Sequence, residues 1–110
     1  MIQKTFVEAQ GKKVARITFT LPSRARSEAV HLVGDFNDWN TSSHPFQRNP
    51  EGQWVLTLEL DLRRAYQFRY LRDGHEWMYD SQADAYVYNP HGPYNFVVVT
   101  DPGFKRYDVD

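Results

Sequence analysis

The chain has 110 residues, 41% hydrophobic and 25% charged, with a formal net charge of -1, the size and balance of one globular domain that buries roughly two-thirds of its unfolded surface. Near-neutral charge gives no electrostatic footprint for nucleic acid, and the absence of cysteine removes disulfides and any thiolate nucleophile. Met1 to Thr5 leads into polar sequence with no apolar signal region, and the run Phe96 to Val99 falls far short of the about 20 residues of a bilayer span, so the expectation is a cytoplasmic protein with no membrane partner.

Period-two alternation recurs along the chain and no long helical pattern does. The first expected strand sets Ala15, Ile17, Phe19 and Leu21 on one face and Arg16, Thr18 and Thr20 on the other. Pro22-Ser23 ends it, and the Arg24/Arg26 pair, like Arg63/Arg64 further on, reads as solvated turn charge. Val30 to Gly34 is a second strand, stopped by Gly34-Asp35. The turn Asn49-Pro50-Glu51-Gly52 then leads into Gln53 to Leu60, where Trp54 shares its parity with Leu56, Leu58 and Leu60 and so belongs to the core. Ala65 to Arg72 follows, with Tyr66, Phe68 and Tyr70 inward and Gln67, Arg69 and Leu71 outward, which exposes Arg69. Phe36, Trp54, Phe68 and Phe96 are assigned to packing.

The hairpin after Arg72 has two possible registers. A turn on Asp73-Gly74 alone pairs Trp77 with Tyr70 and buries it, whereas a three-residue loop that includes His75 sets Trp77 across from Leu71 beside Arg69 and turns Met78 inward. The second is preferred because it buries the apolar, adaptable Met78. Asn89-Pro90-His91-Gly92-Pro93 is a further turn, Tyr94 to Thr100 a last strand, and Pro102 to Asp110 a weakly periodic tail whose Phe104 and Tyr107 can dock on the body. The sum is a single domain over 1–110, with its core at about 14–100: an all-β antiparallel sandwich of about seven to eight strands.

Two of the three tryptophans lie outside this alternation. Trp39 follows the polar turn Gly34-Asp35-Phe36-Asn37-Asp38, and Trp77 follows Asp73-Gly74-His75-Glu76. Large flat rings beside loops mark a binding surface. Catalysis and metal chemistry have less to stand on. Asp35, Asp38, Asp73, Glu76, Asp80 and Asp84 are mostly turn formers, with nothing to raise one of them into a general acid. His31, His44, His75 and His91 show no metal-ligand spacing, and no serine lies in a nucleophile elbow.

Four segments, VHLVGDFNDWN (Val30 to Asn40), RNPEGQW (Arg48 to Trp54), YQFRYLRDGHEWMYD (Tyr66 to Asp80) and NPHGPYNFVVV (Asn89 to Val99), together resemble carbohydrate-binding module family 48. This is the early-set immunoglobulin-like domain found at the N-terminus of isoamylases and glycogen branching enzymes and as the glycogen-binding domain of AMP-activated protein kinase. The resemblance spans about Val14 to Thr100 and implies a freestanding, non-catalytic module, without an attached hydrolase barrel, that binds α-1,4-linked glucan such as a maltooligosaccharide or glycogen. It implies sugar stacking on Trp39 and Trp77, hydrogen bonding by Arg69 and Asn95, no cofactor, and a glycogen-metabolising enzyme or kinase as a partner in trans. Tyr79, on the parity of Trp77, adds a rim contact. Two positions depart from the family pattern: Tyr94 replaces the first of two consecutive asparagines, and Pro90-His91 stands where an apolar loop residue projects. The alternative expectation is a protein-interaction or regulatory module that uses the exposed aromatics and an edge strand.

Overall fold

The computed structural model describes residues 1–22, 28–78, 82–90 and 94–104; of the residues discussed above, Ser23, Arg24, Arg26, Tyr79, Asp80, His91, Gly92, Pro93, Tyr107 and Asp110 lie outside these ranges. Its strands are β1 (Ile2–Ala9), β2 (Lys12–Leu21), β3 (Val30–Gly34), β4 (Gln47–Arg48), β5 (Trp54–Leu60), β6 (Ala65–Arg72), β7 (Glu76–Met78), β8 (Ala85–Val87) and β9 (Asn95–Val99), with a 3-10 turn at Asp35–Asn37. They form two antiparallel sheets. One has the order β1-β2-β5-β4 and the other β3-β6-β9-β8, with β7 pairing the second half of β6.

The alternation read from the sequence is the packing rule of this sandwich. Ala15, Ile17, Phe19 and Leu21 of β2 face Phe68 and Tyr70 of β6 and Phe96 and Val98 of β9 across the interior. Its centre is a group of edge-to-face rings: Phe19 lies 5.3 Å from Phe68 and 6.2 Å from Tyr70, and Phe68 lies 5.8 Å from Phe96. That geometry sets the positive edge of one ring against the negative face of the next. Trp54 is buried as expected, with the Arg48 guanidinium 4.2 Å over its ring. Phe36 is half-buried and packs 6.1 Å from Tyr66.

β1 was not among the expected strands. It is an edge strand joined to β2 by a tight turn at Gln10 and Gly11, both with positive φ. Its side chains on the interior face are Ile2, Lys4, Phe6 and Glu8, opposite Phe19, Ile17, Ala15 and Lys13; two of the four are charged and only Ile2 and Lys4 are half-buried, so the usual signal is erased. Lys4 ion-pairs with Asp84 at 2.6 Å, and the same carboxylate oxygen accepts the Val99 N–H at 2.7 Å. This charge inside the edge links the two sheets and guards β1 against strand addition. On the opposite flank, segment 44–46 closes the far edge of β3, where Leu32 N–H donates to the His44 carbonyl and Phe46 N–H to the Val30 carbonyl.

Asp73 organises the entry to β3: its Oδ1 accepts the N–H groups of Glu28 (2.8 Å) and Ala29 (3.0 Å). These backbone donors hold the carboxyl below the usual carboxylate range. A group lowered on folding stabilises the fold above its unfolded pKa and loses that contribution as pH falls through the folded value. The stability advantage of wild type over Asp73→Asn, measured by urea denaturation, is therefore expected at neutral pH and to shrink as pH drops below about 4.

Candidate functional site

The outer face of the second sheet, turned away from the interior, is where the candidate residues converge. Register places Val33 beside Arg69 and His31 beside Leu71 across the β3–β6 ladder, and Leu71 beside Trp77 across β6–β7. The hairpin loop spans Asp73, Gly74 and His75, with Arg72 opposite Glu76 and Met78 opposite Tyr70, which is the register that inward burial of Met78 favours. Met78 packs against the core and Trp77 stands outside it, 39% exposed.

Trp39, Arg69, Trp77 and Asn95 all line one open concavity of about 360 Å³, together with Val33, Thr41 and Asn89. The structure thus brings the four residues picked from the sequence into one site, and among the described residues no carboxylate lines it. The expectation of a solvent-exposed Arg69 needs correction. Arg69 is half-buried, its guanidinium carbon 5.0 Å from the Trp77 ring centroid, and burial pulls its pKa down from the ordinary arginine value. A cation stacked on an indole braces the ring while keeping its in-plane N–H donors for other partners.

Leu71, read as outward, is also buried, at 3% exposure, as are Val33 at 1% and Val97 at 7%. Outward parity does not mean solvent here: Val33 stands beside Arg69, Leu71 beside His31 and Trp77, and Val97 beside Gln67 and Ala85, and each is covered. The sequence did carry that signal: Val33, Leu71 and Val97 are apolar at outward positions of three neighbouring strands. Thr41 and Asn89 carried none, since each sits in a polar loop.

The loop bearing Trp39 is held from both ends. Gly34 begins it, and a Cβ there would lie 2.5 Å from the Gln67 carbonyl oxygen and 2.9 Å from Phe68 Cβ, so the strand approaches β6 more closely than any side chain allows. Asn37 turns back on the loop, its Oδ1 accepting the Gly34 N–H and its Nδ2 donating to the Leu32 carbonyl, each at 3.0 Å. The Asp35 carboxylate is a clamp: Oδ2 accepts the Gln67 N–H at 2.7 Å and Oδ1 accepts the Trp39 indole N–H at 3.1 Å. Asp38 and Trp39 both adopt left-handed backbone, at φ 53° and 59°, which costs roughly 1–2 kcal/mol at a residue with a Cβ. A bulky side chain held in that region by its surroundings is characteristic of functional loops.

Asn95 lies on β9 within the same concavity. Its Nδ2 donates to Gln67 Oε1 at 2.9 Å, so it ties side chain to side chain across β6–β9. Its Oδ1 is buried and accepts no hydrogen bond among the described residues. Of the other carboxylates considered as catalytic, three are engaged structurally, Asp73 in its turn, Glu76 with Arg72 and Asp84 with Lys4, while Asp38 is exposed and Asp80 lies outside the described residues. Among the described residues no group of histidine, aspartate or glutamate side chains is placed to hold a metal ion.

Residues 7–104 match the family carbohydrate-binding module 48 (isoamylase N-terminal domain). The chain is 53% identical over 38 residues to the 1,4-alpha-glucan-branching enzyme of Dictyostelium discoideum and 47% identical over 32 residues to those of Felis catus and Equus caballus. These stretches cover 34% of this chain for the first and 29% for the second, and 5% of either enzyme.

The close approach at Gly34 makes a direct prediction. Gly34→Ala is expected to destabilise the fold by at least about 2 kcal/mol in chemical denaturation, because the added methyl meets backbone on one side and Phe68 on the other. Gly74→Ala, whose Cβ meets nothing within 4 Å, pays only for its left-handed backbone, and its cost is expected to be smaller.

Proposed function

Because the chain belongs to carbohydrate-binding module family 48, we propose that it binds α-1,4-linked glucan, as in glycogen or a maltooligosaccharide, in the concavity flanked by Trp39 and Trp77, without catalysing a reaction. The observation that carries this reading is the shared placement of both indoles, Arg69 and Asn95 around one hollow that Val33 also lines. The similar enzymes are 1,4-alpha-glucan-branching enzymes, which favours the same ligand class.

Glucose presents apolar C–H faces and a fringe of equatorial hydroxyls. Trp39 and Trp77 cover the faces of the sugar units, and the guanidinium of Arg69 donates to hydroxyl oxygens. The buried Oδ1 of Asn95 is an acceptor with no hydrogen bond among the described residues, and a hydroxyl donor reaching it offsets its desolvation. The Asp35 clamp and the left-handed Trp39 backbone fix one ring before the ligand arrives, which reduces the ordering cost of binding. An open hollow covers little of its ligand, and hydroxyls leave water for protein bonds at small net gain. The affinity is accordingly expected between about 1 µM and 1 mM, rising with chain length as both rings become engaged. A glycogen-metabolising enzyme or kinase in the cytoplasm, acting in trans, is the partner that fits such a module.

The test is affinity electrophoresis in glycogen-containing native gels together with an NMR titration with maltoheptaose. Retardation of the wild type is expected, with shifts clustered on Trp39, Arg69, Trp77 and Asn95, and a loss of at least about tenfold in affinity for Trp39→Ala and for Trp77→Ala. Unretarded wild type, or shifts centred on Trp54, would count against this reading. Asp35→Asn keeps an acceptor for one of its two donors but loses charge, and is expected to weaken binding less than either tryptophan variant does.

A further inference from the structure

The edges of the two sheets are not equally protected. β1 carries the inward Lys4–Asp84 ion pair, segment 44–46 covers β3, and β8 presents only Ala85–Val87. β5 is different. Its full length pairs with β2 on one side, but on the other β4 covers only Val55 and Trp54, through Gln47 and Arg48. Beyond Val55 the far edge of β5 has no strand against it among the described residues.

The phase of the ladders identifies which backbone groups face that edge. Asn49 N–H donates to the Gln53 carbonyl, so Gln53 and, two residues on, Val55 turn their polar groups toward β4. By the same period Thr57 and Glu59 do so with nothing opposite. The β1–β2 ladder gives the same phase independently. The reciprocal bonds between Met1 and Thr20 turn Thr20, Thr18 and Arg16 toward β1. Ala15, Ile17 and Phe19 are thereby left to bond Leu60, Leu58 and Leu56, their register partners. Two N–H donors and two carbonyl acceptors thus line a five-residue open edge, Leu56 to Leu60.

The side chains along that edge repeat its symmetry. Leu56, Leu58 and Leu60 face the interior and Thr57 and Glu59 face out, so the segment Leu-Thr-Leu-Glu-Leu has the same apolar and polar order read from either end about Leu58. Leu56 and Leu58 remain half-buried although they point inward and pack against the core. No inward charge guards this edge, and an open groove of about 460 Å³ lined by Val55, Leu56 and Thr57 runs alongside it at β4.

We propose that this edge is the contact surface for a second copy of the chain, with the two β5 strands antiparallel about a two-fold axis at Leu58. In that register Thr57 of each copy stands opposite Glu59 of the other, and each such pair exchanges both N–H···O=C bonds, which satisfies every open group on both edges. Leu58 meets Leu58 at the axis and Leu56 meets Leu60, extending the leucine stripe across the contact. The pairing ends where β4 begins on one side and where β5 stops at Leu60 on the other, so five residues fit without displacing β4. A contact this small makes a weak, reversible dimer, with a dissociation constant expected at about 10 µM to 1 mM. Glu59 keeps its Arg16 partner at 2.7 Å.

Sedimentation velocity over increasing concentration tests the association, and a cysteine tests its register. Leu58→Cys introduces the only thiol in the chain, and a non-hydrogen-bonded antiparallel pair sets its two Cα atoms about 4.5 Å apart, within disulfide reach. Expected are a monomer–dimer equilibrium for the wild type and disulfide-linked dimer on mild oxidation of Leu58→Cys. Thr5→Cys on β1 is expected to cross-link at least about tenfold less. Thr57→Pro removes an N–H that faces the open edge and spares the β2 ladder, and is expected to weaken association at least tenfold. A wild type monomeric at millimolar concentration, Leu58→Cys cross-linking no better than Thr5→Cys, or a dimer unaffected by Thr57→Pro in a folded protein would each overturn the proposal.

Discussion

The alternation of β6 is the constraint on which the rest of the molecule depends. Phe68 and Tyr70 are fully buried; Phe68 meets Phe19 and Phe96, and Tyr70 meets Phe46, edge to face, so the strand cannot slip by one residue without expelling two large rings into water. That anchoring turns Arg69 and Leu71 to the opposite face. β3, β7 and β9 are each hydrogen-bonded to β6, so Val33, Trp77 and Asn95 take their places relative to Arg69 from the same strand. The candidate site is in this sense the reverse side of the core. The forces that close the sandwich also arrange the surface behind it.

The loop that presents Trp39 obeys a second constraint, and it too ends on β6. Gly34 lies against the Gln67 carbonyl while Asp35 captures the Gln67 N–H, so both backbone groups of a single residue locate the loop. The indole is then fixed by the other oxygen of the same carboxylate. Trp77 reaches its position by a different route, through the count of residues in the hairpin and the stacked guanidinium of Arg69. Two rings set by unrelated local devices face one hollow because both devices refer to the same strand.

Much of this was legible in the sequence. The inward stripes of β2, β5 and β6 show as unbroken period-two runs, and the family resemblance places Trp39, Arg69, Trp77 and Asn95 before any coordinates. The hairpin register followed from asking which residue, Met78 or Trp77, belongs in the core. What escaped did so for physical reasons. β1 has Lys4 and Glu8 on its interior face, so its alternation carries no hydrophobic signal, and two-residue β4 is too short to show any. Arg69 was read as exposed because parity distinguishes the two faces of a sheet but not how far a face is roofed. The roof comes from loops, and the position of a loop depends on tertiary bonds such as Asp35 to Gln67 that no local pattern encodes.

The buried trio of Val33, Leu71 and Val97 on the back of the second sheet ties recognition to solubility. Val33 stands beside Arg69 and Leu71 beside Trp77 in the ladders, so two residues of the candidate site lie next to aliphatic side chains that are shielded from water. A descendant that discarded Trp77 would open the neighbouring Leu71 to water and invite nonspecific clumping unless that position became polar in step. Selection for remaining dispersed in a crowded solution therefore preserves the architecture of this face even during periods when no ligand is present to reward it.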